Sequence, residues 1–125
     1  MIGSIGPRML EATLPHVASW NVWFEDYGND PAQVPALLAR LGAACDEAGR
    51  DYSTLEKTLA HLVQFGDSPI RRNSSNPNRG SDEEVADRIG RIMEAGVDHL
   101  QLVLDPITSE TVEHAASIVN LVRSR

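Results

Sequence analysis

Apolar residues recur at helical spacing in three stretches of the chain. In DPAQVPALLARLGAACDEAGRD this spacing predicts an amphipathic helix. At its start Asp30 is a suitable cap and Gln33 occupies the position of a capping-box partner. At its end Gly49 favours a left-handed exit. The predicted buried stripe consists of Val34, Leu37, Leu38, Leu41, Ala44, Cys45 and Ala48.

Two further helices are predicted in the second half of the chain. In SDEEVADRIGRIMEAGV, Ser81 and Glu84 form a capping box and Gly96 follows the last turn. The third helix runs from about residue 109 to residue 122, beyond the breaker Pro106. The predicted buried faces are Val85, Ile89, Ile92 and Met93 in one helix, and Val112, Ala115, Ala116, Val119 and Val122 in the other.

Short apolar runs lie between the helices and are read as strands: HVASWNVWF, KTLAHLVQF and DHLQLVL. The last is apolar on both faces, which is typical of a buried parallel strand. Glu-Ala-Gly precedes each of the last two runs, a weak internal repeat. Alternating strands and helices predict an α/β fold with a parallel sheet.

Composition narrows the class of protein. The chain has 125 residues, a size that suits one folding unit. No apolar run is long enough for a membrane span and no secretory signal is recognisable, so we expect a cytoplasmic protein without membrane contact. The net charge of −7 argues against a nucleic-acid partner. Cys45 is the single cysteine, and its position favours a buried structural thiol over a catalytic one.

Several side chains are candidates for chemistry, each with a structural alternative. His61 in the second strand suits a substrate-directed acid or base, or else a hydrogen-bonded core histidine. The loop GDSPIRRNSSNPNRGS offers Arg71, Arg72 and Arg79 to a substrate phosphate or acidic group, or else to solvent. Trp20 and Trp23 are suited either to stacking on a cofactor ring or to packing in the core. No histidine spacing predicts a metal site.

Several segments together resemble the C-terminal part of the luciferase-like flavin- or deazaflavin-dependent oxidoreductases and monooxygenases. They are IGSIGPRML, HVASWNVWF, CDEAGRD and GSDEEVADRIGRIMEAGVDHLQLVL, and the resemblance omits only the loop rich in Arg and Asn. It implies a TIM-type βα barrel, of which residues 1–125 form a C-terminal half-barrel domain without the N-terminal half. It also implies a small organic substrate and, as cofactor, the deazaflavin coenzyme F420 or FMN.

The same resemblance implies where the cofactor binds. The Gly-rich turn would offer backbone amides to the cofactor phosphate, at the N-terminus of a helix that begins with Pro7. Arg8 would add a positive charge, and Trp20 and Asn21 match the family's next strand. Ser19 departs from the pattern, since an aspartate is common there. The residues of the turn itself are Gly3, Ser4, Ile5 and Gly6.

A half-barrel leaves its strand edges and inner face uncovered. We therefore expect a homodimer or a complementary N-terminal chain. Two other functions stay open on the residues alone: a non-catalytic half-barrel that serves assembly, and a small-ligand binding module that keeps the phosphate turn without turnover.

Overall fold

The computed structural model describes residues 6–66 and 76–125, which form an α/β structure. In these ranges none of the helices is long and apolar enough to cross a membrane. Three-residue and four-residue 3-10 turns connect several elements. The helices are α1 (Pro7–Thr13), α2 (Val34–Ala48), α3 (Asp82–Glu94) and α4 (Ser109–Arg123), and the strands are β1 (Ser19–Val22), β2 (Glu56–Gln64) and β3 (His99–Asp105).

The three strands form one parallel sheet in the order β1-β2-β3. Each strand therefore lies beside its neighbour in sequence, and α2 and α3 are the connections between them. The register aligns Asn21 with Thr58 and Thr58 with His99. The predicted alternation of strands and helices and the parallel sheet are both confirmed.

Two apolar clusters hold the helices on the sheet. The larger cluster joins β1 and β2 to α1 and α2, and Trp20, Val22, Leu41 and Leu59 are almost fully buried in it. The smaller one packs Val63 of β2 against α3 and α4. Complete burial of one such side chain stabilises the fold by roughly 1.5–3 kcal/mol. Cys45 lies in the larger cluster, as its sequence position predicted.

The start of α2 differs from the prediction. Pro31–Gln33 forms a 3-10 turn, and Asp30 caps that turn by accepting a hydrogen bond from the Ala32 amide at 3.0 Å. The α-helix begins only at Val34, and the Gln33 side chain makes no capping hydrogen bond. Gln33 is therefore wrongly predicted as a capping-box partner. Gly49 ends the helix with φ +70°, as predicted.

The buried face of α4 is also rotated from the predicted one. Val112 is 52% exposed, whereas Thr111 is buried. The Thr111 hydroxyl donates to the Pro106 carbonyl at 2.8 Å, and Thr108 and Thr111 form a capping box. These bonds tie Thr111 inward, so Val112 turns toward solvent. Met93 of α3 is likewise 38% exposed and was wrongly predicted as buried.

Candidate functional site

A row of polar side chains crosses the sheet on the face opposite the Trp20, Val22 and Leu59 side chains. Because side chains alternate along a strand, Asn21 and Thr58 point away from their neighbours Val22 and Leu59. His99 of β3 is in register with Thr58 and completes the row. Thr58 is buried at the centre of this row, whereas Asn21 is half-buried and His99 is exposed, so only the two ends of the row are open to solvent.

Asn21 is the member of this row for which the family resemblance implies contact with the cofactor. Its Oδ1 lies 2.7 Å from the Thr58 hydroxyl, which is also 2.9 Å from the Trp20 carbonyl and donates to one of the two oxygens at a time. The residue is half-buried. Within the described ranges its Nδ2 group has no hydrogen-bond partner, so it is a donor that a ligand on this face can use.

Trp20 precedes Asn21, and its side chain lies on the other face. It is 1% exposed and packs in the larger cluster near Leu37 and Leu41 of α2. The structure thus separates the side chains of these two predicted cofactor residues. Trp23 is 40% exposed, and its ring centroid lies 4.5 Å from that of Phe24.

The predicted phosphate turn is described only at its last residues. Gly6 has extended backbone angles before α1, and its carbonyl accepts a hydrogen bond from the Leu10 amide at 3.0 Å. Pro7 stands at the first helical position and Arg8 is exposed in the first turn. The remaining predicted residues, Gly3, Ser4, Ile5, Arg71 and Arg72, lie outside the described ranges.

His61 is fully buried at the middle of β2, with both ring nitrogens in hydrogen bonds. Its Nδ1 lies 2.9 Å from the Tyr27 hydroxyl oxygen, and its Nε2 lies 3.1 Å from the Asn78 Nδ2. This arrangement is the one expected of a hydrogen-bonded core histidine, the structural alternative named above.

The neighbouring contacts define which nitrogen carries the proton. Arg88 Nη1 donates to Asn78 Oδ1 at 2.9 Å, which turns the Asn78 Nδ2 donor toward His61 Nε2. Nε2 therefore accepts, and Nδ1 bears the proton and donates to the Tyr27 oxygen. The Tyr27 hydroxyl in turn donates to the Ala60 carbonyl at 2.8 Å. We call these four side chains the His61 relay: Arg88, Asn78, His61 and Tyr27.

Burial keeps both titratable groups at the centre of the relay, His61 and Tyr27, in their neutral forms, and the charge of Arg88 adds to this effect at His61. Burial, helped by the nearby Arg88 charge, lowers the pKa of His61 to about 4. Burial also raises the pKa of Tyr27 well above its ordinary value. His61 is consequently a neutral acceptor and donor at physiological pH.

Sequence reasoning missed three members of the relay. Tyr27, Asn78 and Arg88 lie 34, 17 and 27 positions from His61, so no local motif relates them. The one local signal is the Asn-rich stretch around residue 78, which is typical of turns. For metal binding, the described residues contain no group of three or more His, Cys, Asp or Glu side chains with suitable proximity.

These elements define a parallel α/β sheet with crossover helices on one face and a polar row on the other. The solved structure of coenzyme F420 dependent tetrahydromethanopterin reductase from Methanopyrus kandleri is similar, with a TM-score of 0.61 and 16% sequence identity. The match covers 94% of this chain and 47% of that chain, so this chain spans about half the length of the reductase. At this identity the likeness concerns the fold. No family model and no curated protein sequence matches the chain.

Proposed function

We propose that this chain is a cofactor-binding section of a luciferase-like oxidoreductase that uses the deazaflavin coenzyme F420 or a flavin such as FMN. The observation that carries the proposal is the fold likeness to a coenzyme F420 dependent reductase across 94% of the chain. The sequence resemblance described above supports the same class. In such an enzyme the cofactor ring performs the hydride chemistry, and the protein binds and orients it.

The proposal places the cofactor on the polar face of the sheet. The Asn21 Nδ2 donor, which has no partner among the described residues, would hydrogen-bond the ring or its side chain. The turn that ends at Gly6 would face the phosphate, and the exposed Arg8 would add a positive charge. A small organic substrate would bind beside the ring. Arg71 and Arg72 stay predictions as contacts to that substrate. His61 is buried, and its hydrogen bonds are better explained by the His61 relay than by contact with a substrate.

The same proposal makes the sheet one half of a TIM-type βα barrel. In the described part of the chain β1 and β3 each pair with β2 alone. Strand edges of this kind require a partner or a cover. A second copy of the chain, or a separate chain that supplies the other barrel strands, would complete the sheet.

Fluorescence titrations with coenzyme F420 and with FMN test the proposal. We expect saturable binding of one of them, weakened about tenfold in Arg8→Gln because a charge-assisted contact to the phosphate is lost. Asn21→Ala should weaken binding by a smaller factor, since it removes a neutral hydrogen bond. Arg123→Gln, at an exposed arginine in the last turn of α4, is the matched control and should leave the affinity unchanged.

The outcomes separate the candidate functions. Absence of binding, or equal weakening by all three variants, contradicts the cofactor site. Binding followed by hydride transfer in a redox assay supports the oxidoreductase, while binding without any turnover favours the ligand-binding module instead.

A further inference from the structure

A groove lies between the segment after β1 and the segment before α3, and we call it the arginine groove. Its volume is about 510 Å³. Small-molecule sites in proteins typically measure about 300–1,000 Å³. Neither the polar row nor Gly6 and Arg8 belong to it. Its lining includes Asn29, Asp30, Asn78, Arg79, Arg88 and Arg91.

The charge of the lining is positive although the chain as a whole carries −7. Among the described lining residues Arg79 and Arg88 stand against Asp30, which leaves one positive charge beyond Arg91 and its partner Asp87. In residues 6–66 and 76–125 neither Arg79 nor Arg88 forms an ion pair with a carboxylate, and Arg91 pairs with Asp87 at 3.1 Å. Positive charge that no protein carboxylate neutralises attracts an external anion.

Arg88 is fixed in a geometry that suits an oxyanion. Its Nη1 donates to Asn78 Oδ1 at 2.9 Å and to the Arg79 carbonyl at 2.7 Å. Its Nε and Nη2 donors have no partner among the described residues. The planar guanidinium fork binds two oxygens of one phosphate or carboxylate, and here less side-chain freedom is lost on binding.

The opposite wall of the groove is also held in place. Asn29 has φ +52°, and its side-chain amide bonds both the amide and the carbonyl of Leu62 in β2, at 2.8 and 2.9 Å. It also donates to the Asn76 carbonyl at 2.9 Å. Among the described lining residues Asp30 is the one that repels an anion, and its Oδ1 accepts from the Ala32 amide at 3.0 Å. Because these hydrogen bonds already fix this wall to the sheet, a ligand does not lose binding free energy to ordering it.

We propose that the arginine groove binds the phosphoryl group of a small phosphomonoester. Arg88 binds two of its oxygens and Arg79 a third, while the exposed Arg91 contributes from the groove's edge. The phosphomonoester is a free metabolite, since the proposed function assigns the phosphate of a flavin nucleotide to Gly6 and Arg8. Occupancy also restrains Arg88, which orients Asn78 on His61. This inference is independent of the proposed cofactor site.

A two-dimensional amide NMR titration with inorganic phosphate and with phenyl phosphate tests the inference. We expect saturable shifts at the side-chain amide of Asn78 and along α3. Arg79→Gln removes a guanidinium that has no partner among the described residues, so it should leave the fold intact and weaken binding about tenfold. Arg88→Lys keeps the charge but loses the fork, and should weaken binding as well. Arg40→Gln, at an exposed arginine of α2 outside the groove, should change nothing.

Two results would overturn the site. One is the absence of saturable shifts with either probe at millimolar concentration. The other is an equal loss of affinity in Arg79→Gln and Arg40→Gln, which would mean unspecific attraction to positive charge. FMN and riboflavin then identify the source of the phosphate, because they differ only by that group. Shifts with phenyl phosphate but not with FMN support a free metabolite. Groove shifts with FMN and none with riboflavin would assign the groove to the nucleotide, and would contradict both the free metabolite and the placement of the cofactor phosphate near Gly6 and Arg8. The fluorescence titration tests the cofactor site separately, so failure of the proposed function can be distinguished from failure of the arginine groove.

Discussion

His61 lies at the centre of β2 between two polar partners that come from distant parts of the chain. Its pKa of about 4 is below the value of about 6.5 that an unfolded histidine has. The unfolded state therefore binds a proton between these two pH values and the folded state does not. Stability from this group is fully present above the unfolded pKa and is lost as pH falls toward the folded one.

We predict that His61 lowers the free energy of unfolding by about 2 kcal/mol between about pH 7 and about pH 5. Urea unfolding at the two pH values measures this difference in the native chain and in His61→Gln, which does not titrate. The decrease in the free energy of unfolding from pH 7 to pH 5 should be about 2 kcal/mol smaller in His61→Gln than in the native chain. His16→Gln, at an exposed histidine, is the control and should behave like the native chain. An equal pH dependence in all three proteins would disprove the neutral relay.

The sequence allowed a hydrogen-bonded core role for His61 but did not reveal its partners. A strand position and an apolar neighbourhood suffice to predict burial. The partners depend on how Tyr27 and Asn78 return to β2 through turns in which Asn29 and Asn76 adopt left-handed angles. Such returns depend on tertiary contacts, and no periodicity in the chain encodes them.

At the scale of elements, helix ends were predictable where a cap and its partner are three residues apart. Ser81 accepts from the Glu84 amide at 3.2 Å, and the Glu84 carboxylate accepts from the Ser81 amide at 3.0 Å. At α2 the same logic failed, because Pro31 favoured a 3-10 turn before the helix. The rotated face of α4 has a similar origin, since the bonds of Thr111 override the apolar periodicity.

The capping box of α3 should contribute measurably to stability. We predict that Ser81→Ala lowers the free energy of unfolding by about 1 kcal/mol, because one helix amide loses its acceptor. Chemical denaturation of the variant measures this loss. Ser117→Ala, on the exposed side of α4, is the matched control with an expected change near zero. A loss in the control as large as in Ser81→Ala would show that the cap is not the cause.

At the scale of the whole molecule, the parallel sheet and its helix order followed from the alternation of apolar runs. The sheet's two unequal faces did not follow, because only the register shows that Asn21, Thr58 and His99 share one row. The arginine groove as a whole was hidden, since it combines the segment after β1 with α3, although its Arg79 was a predicted phosphate contact. Long-range placement of this kind determines the sites, whereas local pattern determines the elements.

We propose that the polar face of this sheet binds a flavin-type cofactor, and a crystal structure of the chain grown with coenzyme F420 or FMN would show whether it does. We expect the ring on the polar face, within hydrogen-bond distance of Asn21 Nδ2, and the phosphate near Gly6 and Arg8. A ring bound elsewhere, or a polar face covered by this chain's own residues with the cofactor excluded, would contradict it.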